Sequence, residues 1–323
     1  MSLPWFVEIL GVINEILSLV KFGTGDVPQG RSSGKSRVRI ILGLDLKTPH
    51  GGETGMGGDI PDIYLWNEIG GFLGVAPDPG KVQQGRVTDV TVKHRPGAGE
   101  QATYTLFSAN DDAVCIASAA ITWPDGGMYG WVGDWGHQCG GSWYYSNIYV
   151  AGTHKPDCLW IGTGDHQPQT GFQVHWPDFV NTRDWGNSTP EERTQKIDYL
   201  CKKQVPFGFR THSEVHPRSL IYWKAHTPEE GGQDERNGTA VAYGPKKPAH
   251  KWGLCESETS YGPDFVDVKT GTFCRMSDKS LWPTCKGTDG ADNCFNIDSQ
   301  QLIINGLVTR GEPYKKVLNW ITS

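Results

Sequence analysis

Apolar residues recur along most of this chain with a period of two, the spacing of a strand that buries one face. Val38 to Leu44 is the first such run. Ile63 to Trp66 and Phe72 to Val75 follow, joined by Asn67-Glu-Ile-Gly-Gly71, which reads as a hairpin. Further strands are predicted at 87–94, 101–108, 112–122, 128–134, 142–150, 157–162 and 171–176, with later ones at 219–223 and 238–243. Turn residues part them at short intervals, at Pro96 to Gly99, Asn110 to Asp112 and Pro124 to Gly127. That rhythm is the rhythm of an antiparallel sandwich or jelly roll.

Two segments break the period. Thr189 can cap a helix with Pro190 in its first position and Glu192 completing a capping box; Ile197, Leu200 and Cys201 then share a face, and Val205-Pro206 ends it near Gln204. Leu3 to Val20 is apolar except for a narrow stripe of Glu8, Gly11, Asn14, Glu15 and Ser18 at helical steps. No basic residue precedes this stretch, as a signal peptide requires, and its two glutamates disfavour a membrane span. Such a helix must bury its surface against its own body, another copy or a membrane.

The expectation is therefore a mainly β protein: an antiparallel sandwich or jelly-roll-like body with an N-terminal helix, one further helix near 190–204 and a loop-rich, disulfide-stapled C-terminal module. The divisions predicted are a helix over 1–22, a Gly/Ser-rich linker over 23–37, a Trp-rich β domain over 38–186, and a helix plus cysteine-rich module over 187–323 packed on it. The glycine-rich loop Gly51 to Gly58 lies within the β domain.

Charge narrows the partners. Lys and Arg total 30 against 36 Asp and Glu, a formal net charge of −6, so a general nucleic-acid binder is disfavoured. With 37% hydrophobic and 11% aromatic residues the chain can build a packed interior. Its eight cysteines, Cys115, Cys139, Cys158, Cys201, Cys255, Cys274, Cys285 and Cys294, contain no C-x-x-C pair. An even count without metal spacing reads as disulfides formed outside the cytosol, in about 105 conceivable pairings. The alternative is eight buried thiols. An Asn-Gly-Thr sequon at Asn237 agrees with a secreted glycoprotein, whereas the one at Asn187 runs into Pro190.

Candidate chemistry gathers in the Trp-rich stretch, where Trp123, Trp131, Trp135, Trp143, Trp160, Trp176 and Trp185 lie close in sequence with Tyr129, Tyr144, Tyr145 and Tyr149. Flat rings flanked by carboxylates and amides suit the C–H face of sugars, and Gln138, Asp165 and Gln169 add polar neighbours. Trp131, Asp134, Trp135, His137, Trp143, Tyr145 and Asn147 are the predicted ligand-binding residues. The competing reading is that these rings fill the sandwich core. Acid–base chemistry would draw on Asp134, Asp165 and Asp178.

Other motifs are weaker. His212, Glu214 and His216 lack the order of a metalloprotease helix, and as strand residues the histidines would stand about 13 Å apart. Asp289, Asp292, Asn293, Asn296 and Asp298 form an oxygen-rich loop that could take calcium but lacks EF-hand order; no other cofactor is expected. Cys139-Gly-Gly-Ser-Trp143 echoes a papain-like signature with Ser142 at the nucleophile position, in strand context rather than at a helix start. Gly30 to Gly34 matches G-x-S-x-G without the strand–helix flanks that a nucleophile elbow needs.

Cys255 to Val266, Phe273 to Cys285 and Cys294 to Asp298, together with Thr122 to Gly126 and Trp135 to Tyr145, resemble a group of uncharacterised secreted fungal proteins. The resemblance implies secretion and disulfides, and no catalytic residue is carried over. The function expected is binding of an extracellular or cell-surface ligand, a glycan, through an aromatic surface. The alternatives are a secreted hydrolase acting on polysaccharide, or a structural protein that self-associates or meets a membrane through residues 3–20.

Overall fold

The computed structural model describes residues 34–44, 55–68, 70–96, 98, 101–150, 154–163, 169–179, 188–202, 206–211, 240–244, 254–256, 264–276, 278–285, 293–308, 314 and 316–319. The N-terminal helix, most of the linker, the start of the glycine-rich loop, Asp165, Trp185, Asn187, His212, Glu214, His216, residues 219–223, Asn237, Asp289 and Asp292 lie outside the described residues.

The protein is mainly β and divides into two compact units. In the first, the chain forms β1 (Lys35–Leu42), β2 (Gly58–Asp59), β3 (Asp62–Trp66), β4 (Phe72–Ala76), β5 (Lys81–Val82), β6 (Val87–Lys93), β7 (Tyr104–Ser108), β8 (Val114–Thr122) and β9 (Met128–Val132). Then come helix α1 (Gly133–Gln138), β10 (Trp143–Tyr145), β11 (Asp157–Ile161), β12 (Gly171–His175), a 3-10 turn (Trp176–Phe179), helix α2 (Pro190–Lys202) and β13 (Phe207–Arg210).

Two large antiparallel sheets result, and β2 pairs with β5 in a separate two-stranded ribbon. One large sheet has the order β10-β11-β8-β1-β6 with β9 also on β8, and the other β13-β12-β7-β3-β4. Alternation explains their inner faces: on β1, Ser36, Val38, Ile40 and Leu42 are buried while the residues between them point outward. The sheets meet through aromatic packing, with Trp131 of β9 stacked on Phe172 of β12 at 4.8 Å and on Phe207 of β13 at 5.8 Å. This is a sandwich core. Trp66, Trp135, Trp143, Trp160 and Trp176 are as deeply buried as Trp131.

The second unit forms β14 (Ala240–Gly244), a 3-10 turn (Leu254–Glu256), β15 (Asp264–Asp267), β16 (Thr272–Arg275), β17 (Ser280–Pro283), β18 (Asn293–Asn296), β19 (Gln301–Ile304), β20 (Leu307–Val308) and β21 (Lys316–Asn319). A five-stranded sheet runs β17-β16-β15-β14-β21, beside a three-stranded meander of β18, β19 and β20. Unlike the strands of the sandwich, β14 pairs with both β15 and β21 in parallel. The core of this unit is Val241, Tyr243, Val266, Phe273, Phe295, Leu302 and Tyr314, with Phe273 stacked on Phe295 at 3.9 Å.

All eight cysteines are paired: Cys115–Cys158, Cys139–Cys201, Cys255–Cys274 and Cys285–Cys294. Four such bonds belong to an oxidising environment. The first two staple the sandwich, joining β8 to β11 and the end of α1 to α2.

Four sequence boundaries shift. Helix α2 forms with its capping box, Thr189 N–H to Glu192 Oε2 at 2.9 Å and Glu192 N–H to Thr189 Oγ1 at 3.2 Å. It belongs to the first unit rather than the cysteine-rich module, because Cys201 is bonded to Cys139 and the strand that follows, β13, pairs with β12. The strand expected at 128–134 turns helical at Gly133, and the one expected at 142–150 keeps only its first residues. Asn147 lies in the left-handed region with φ 51°, which no strand tolerates. At the other end β1 starts at Lys35, inside the predicted linker.

Candidate functional site

The site begins at a fork in the first sheet. One edge of β8 is shared: Val114 to Ile116 pair with β11, and Ser118 to Thr122 pair with β9. Where β9 ends, α1 is inserted against the start of β11. Only glycine fits at its first residue, because a Cβ on Gly133 would lie 2.3 Å from the Asp157 carbonyl oxygen and 2.8 Å from that of Ile116. The position preceding it, Val132, is extended and offers no side-chain cap.

This insertion carries Asp134 and His137 to the start of β11. Asp134 is fully buried; its Oδ1 accepts the Asp157 backbone N–H at 3.2 Å and its Oδ2 lies 3.0 Å from His154 Nε2. Asp157 is also fully buried, and its Oδ2 lies 2.8 Å from His137 Nδ1. Two adjacent buried carboxylates are costly unless each meets a counter-charge or donor, and here each meets an imidazole. The His137 ring stacks on Trp143 at 3.6 Å with 13° between planes, so its orientation is fixed twice. His154 is nearly closed off, with 6% of its side chain exposed, against 16% for His137. His137 is thus the member of the group that meets solvent.

An ionised carboxylate only accepts, so Nδ1 of His137 is the donor toward Asp157 and the neutral ring has its lone pair on Nε2. This is the arrangement of a general base oriented by a buried acid. The neighbouring hydroxyl of Ser146 is committed to the Pro156 carbonyl at 2.5 Å, and the Ser142 N–H donates to Gln169 Oε1 at 2.9 Å. Ser142, at the nucleophile position of the papain-like echo, is buried directly before β10 and not at a helix start.

Of the predicted ligand-binding residues, Trp131, Trp135 and Trp143 are fully buried, and Tyr145 and Asn147 are 5% and 7% exposed. The aromatic surface is instead a core, because the sandwich draws large flat side chains between its sheets. In the same stretch Tyr149 is 58% exposed, with the Lys155 ammonium 4.5 Å above its ring. Asp134 and His137 do come together, through the missed partners His154 and Asp157. The local signal for those two was slight: Asp157 opens a predicted strand, and nothing in the spacing links it to a helix turn twenty residues earlier.

A second cluster contains Asp178, one of the predicted acids. His175 donates from both ring nitrogens, Nδ1 to Asp178 Oδ2 at 2.6 Å and Nε2 to Glu68 Oε2 at 2.9 Å, and its ring stacks on Tyr104. Tyr199 of α2 donates to Asp178 Oδ1 at 2.9 Å, and Lys196 Nζ donates to the Asp178 carbonyl at 3.0 Å. Burial disfavours the charged ring, but the bonds to Asp178 and Glu68 outweigh it and raise the pKa of His175. Burial pushes the Asp178 carboxyl up, while His175, Tyr199 and Lys196 bring it below its ordinary value. With both nitrogens committed to carboxylates this imidazolium is a clasp between β12, α2 and the turn after β3.

The calcium candidates fare differently. Asn296 Oδ1 accepts the N–H groups of Asp298 and Ser299 at 2.9 Å each, the bonding of an Asx turn, and Asn293 Oδ1 accepts from Asn305. Among the described residues no group of three or more His, Cys, Asp and Glu side chains is arranged to hold a metal ion. No helix among them is long and apolar enough to cross a membrane. Comparison with known proteins found no match to a family model, to a curated protein or to a solved structure.

Proposed function

We propose that this chain is a secreted, disulfide-stapled hydrolase that cleaves an ester-type bond in an extracellular substrate. His137 is the general base and Asp157 its positioning residue. The observation that carries this reading is the 2.8 Å contact between a fully buried carboxylate and the one imidazole of the group that retains exposure.

In this scheme His137 Nε2 takes a proton from water as the water oxygen adds to the ester carbonyl. The imidazolium so formed is stabilised by Asp157, and it returns the proton to the alkoxide as the tetrahedral intermediate collapses to acid and alcohol. Glycoside cleavage by paired carboxylates fits less well. Asp134 spends both oxygens, on His154 and on the Asp157 N–H, and Asp157 holds His137.

The test is turnover of p-nitrophenyl acetate by the oxidised protein and its variants. His137→Gln and Asp157→Asn should each lower kcat by about 10²–10⁴-fold with the fold intact by circular dichroism. His175→Gln should keep the rate. Equal rates for wild type and His137→Gln would overturn the assignment, as would wild-type turnover no faster than buffer.

A further inference from the structure

The outward face of β1 and β6 carries a charge pattern unrelated to the His137 centre. Residues turned away from the core are Lys35, Arg37, Arg39 and Ile41 on β1, and Val87, Asp89, Thr91 and Lys93 on β6. The register sets Lys35 directly opposite Lys93, Arg37 opposite Thr91, and Arg39 opposite Asp89. Arg39 and Asp89 neutralise each other through two bonds, Nε to Oδ1 at 2.7 Å and Nη2 to Oδ2 at 2.6 Å. Among the described residues, Lys35, Arg37 and Lys93 have no carboxylate within ion-pair distance; Arg37 acts from further off on Asp89, whose two oxygens are bonded to Arg39. Lys35 and Lys93 are exposed and Arg37 is half-buried.

Like charges directly opposite on an antiparallel pair work against the pairing. Lysine does guard sheet edges, and Lys93 on the edge strand β6 fits that role. Arg37 does not: it is paired on both sides, with Thr91 of β6 and Thr122 of β8, so it has no open edge to protect. Nor is the pattern a reflection of overall charge, since the chain carries a net −6. On each strand the outward residues recur about every 6.6 Å, so the cations form a ribbon two strands wide.

We propose that this ribbon docks an acidic polysaccharide, whose sulfate or carboxylate groups supply the counter-charges the fold leaves out. The outward residues of the ribbon include no aromatic ring on which nucleic-acid bases could stack. Its apolar members, Ile41 and Val87, are too small to anchor in a bilayer. The proposal is independent of the hydrolase reading and needs no turnover.

The test is retention on immobilised heparin, with neutral dextran as reference. The wild type should bind at about 50 mM salt and be released as salt screens the contacts. The variant Lys35→Gln/Arg37→Gln/Lys93→Gln should bind at least about 10-fold more weakly, since each lost cation removes released counterions. The variant Lys81→Gln/Lys202→Gln/Lys269→Gln, with the same net charge, should bind as the wild type does. Wild-type flow-through on heparin would overturn the proposal, as would equal losses in the two variants. Displacement of heparin by anionic phospholipid vesicles or a single-stranded oligonucleotide at equal charge concentration would also refute it, by assigning the ribbon to another polyanion.

Discussion

Gly133→Ala is the sharpest perturbation available, because it tests the wedge that builds the His137 centre. The added methyl group would meet three backbone atoms, the Asp157 carbonyl oxygen at 2.3 Å, the Ile116 carbonyl oxygen at 2.8 Å and the Cys158 Cα at 2.9 Å. None of these can rotate away; α1 must separate from β11 by about 1 Å to restore ordinary contact. Overpacking of this kind costs about 1–3 kcal/mol, and rigid backbone on every side places the cost near the top of that range. For a unit of about 150–250 residues, where 1 kcal/mol moves the midpoint by about 2–4 °C, the loss is about 6–12 °C. Gly136→Ala is the control. Its methyl group meets only Leu159 side-chain atoms at 2.9–3.1 Å, and a helix-interior alanine returns about 1 kcal/mol over glycine. The assay is thermal unfolding followed by tryptophan emission, which reports the first unit through the six fully buried tryptophans among its described residues. A Gly133→Ala midpoint within about 2 °C of wild type, or one above that of Gly136→Ala, would refute the reasoning.

Two further outcomes follow from the same structure. His175 has a raised pKa in the folded state, so its contribution is fully present below the ordinary histidine value of about 6.5 and is lost as pH rises through the raised value. The midpoint difference between wild type and His175→Gln should therefore shrink on going from pH 6 to pH 9; a difference that grows with pH contradicts the clasp. Replacing both Cys115 and Cys158 by alanine frees a loop of 43 residues and should cost about 4 kcal/mol on chain-entropy grounds, read by urea unfolding of tryptophan emission. A loss below about 1 kcal/mol would mean the unfolded chain is already restricted there.

Much of the scaffold was legible. Alternation located β1, β6, β8 and β12 to within a few residues, and the capping box at Thr189 and Glu192 placed α2, because these signals are local. What spacing could not give was the short helix α1. Its six residues include two glycines and no apolar period, and it exists because the β8 edge is divided between two strands. For the aromatic cluster the sequence leaves a surface and a core both open, for a related reason. Composition reports ring content, whereas burial depends on which sheet covers which, and Trp131 is covered by Phe172 and Phe207 from strands far along the chain. Asp134 and His137 stand out in the sequence as polar residues of the Trp-rich stretch, but their partners His154 and Asp157 become visible only once β11 is laid against the fork.

The disulfide pairing has a consequence for survival in a protease-rich setting. Both bonds of the sandwich close before residue 202, and both of the other unit close after residue 254, so no cross-link spans the interval between Cys201 and Cys255. A nick inside the loop bounded by Cys139 and Cys201 leaves its fragments tethered, so damage there is silent on a non-reducing gel. A nick between Cys201 and Cys255 is bridged by no disulfide, so it shows as two bands on a denaturing non-reducing gel, one fragment keeping the His137 centre and the cationic ribbon.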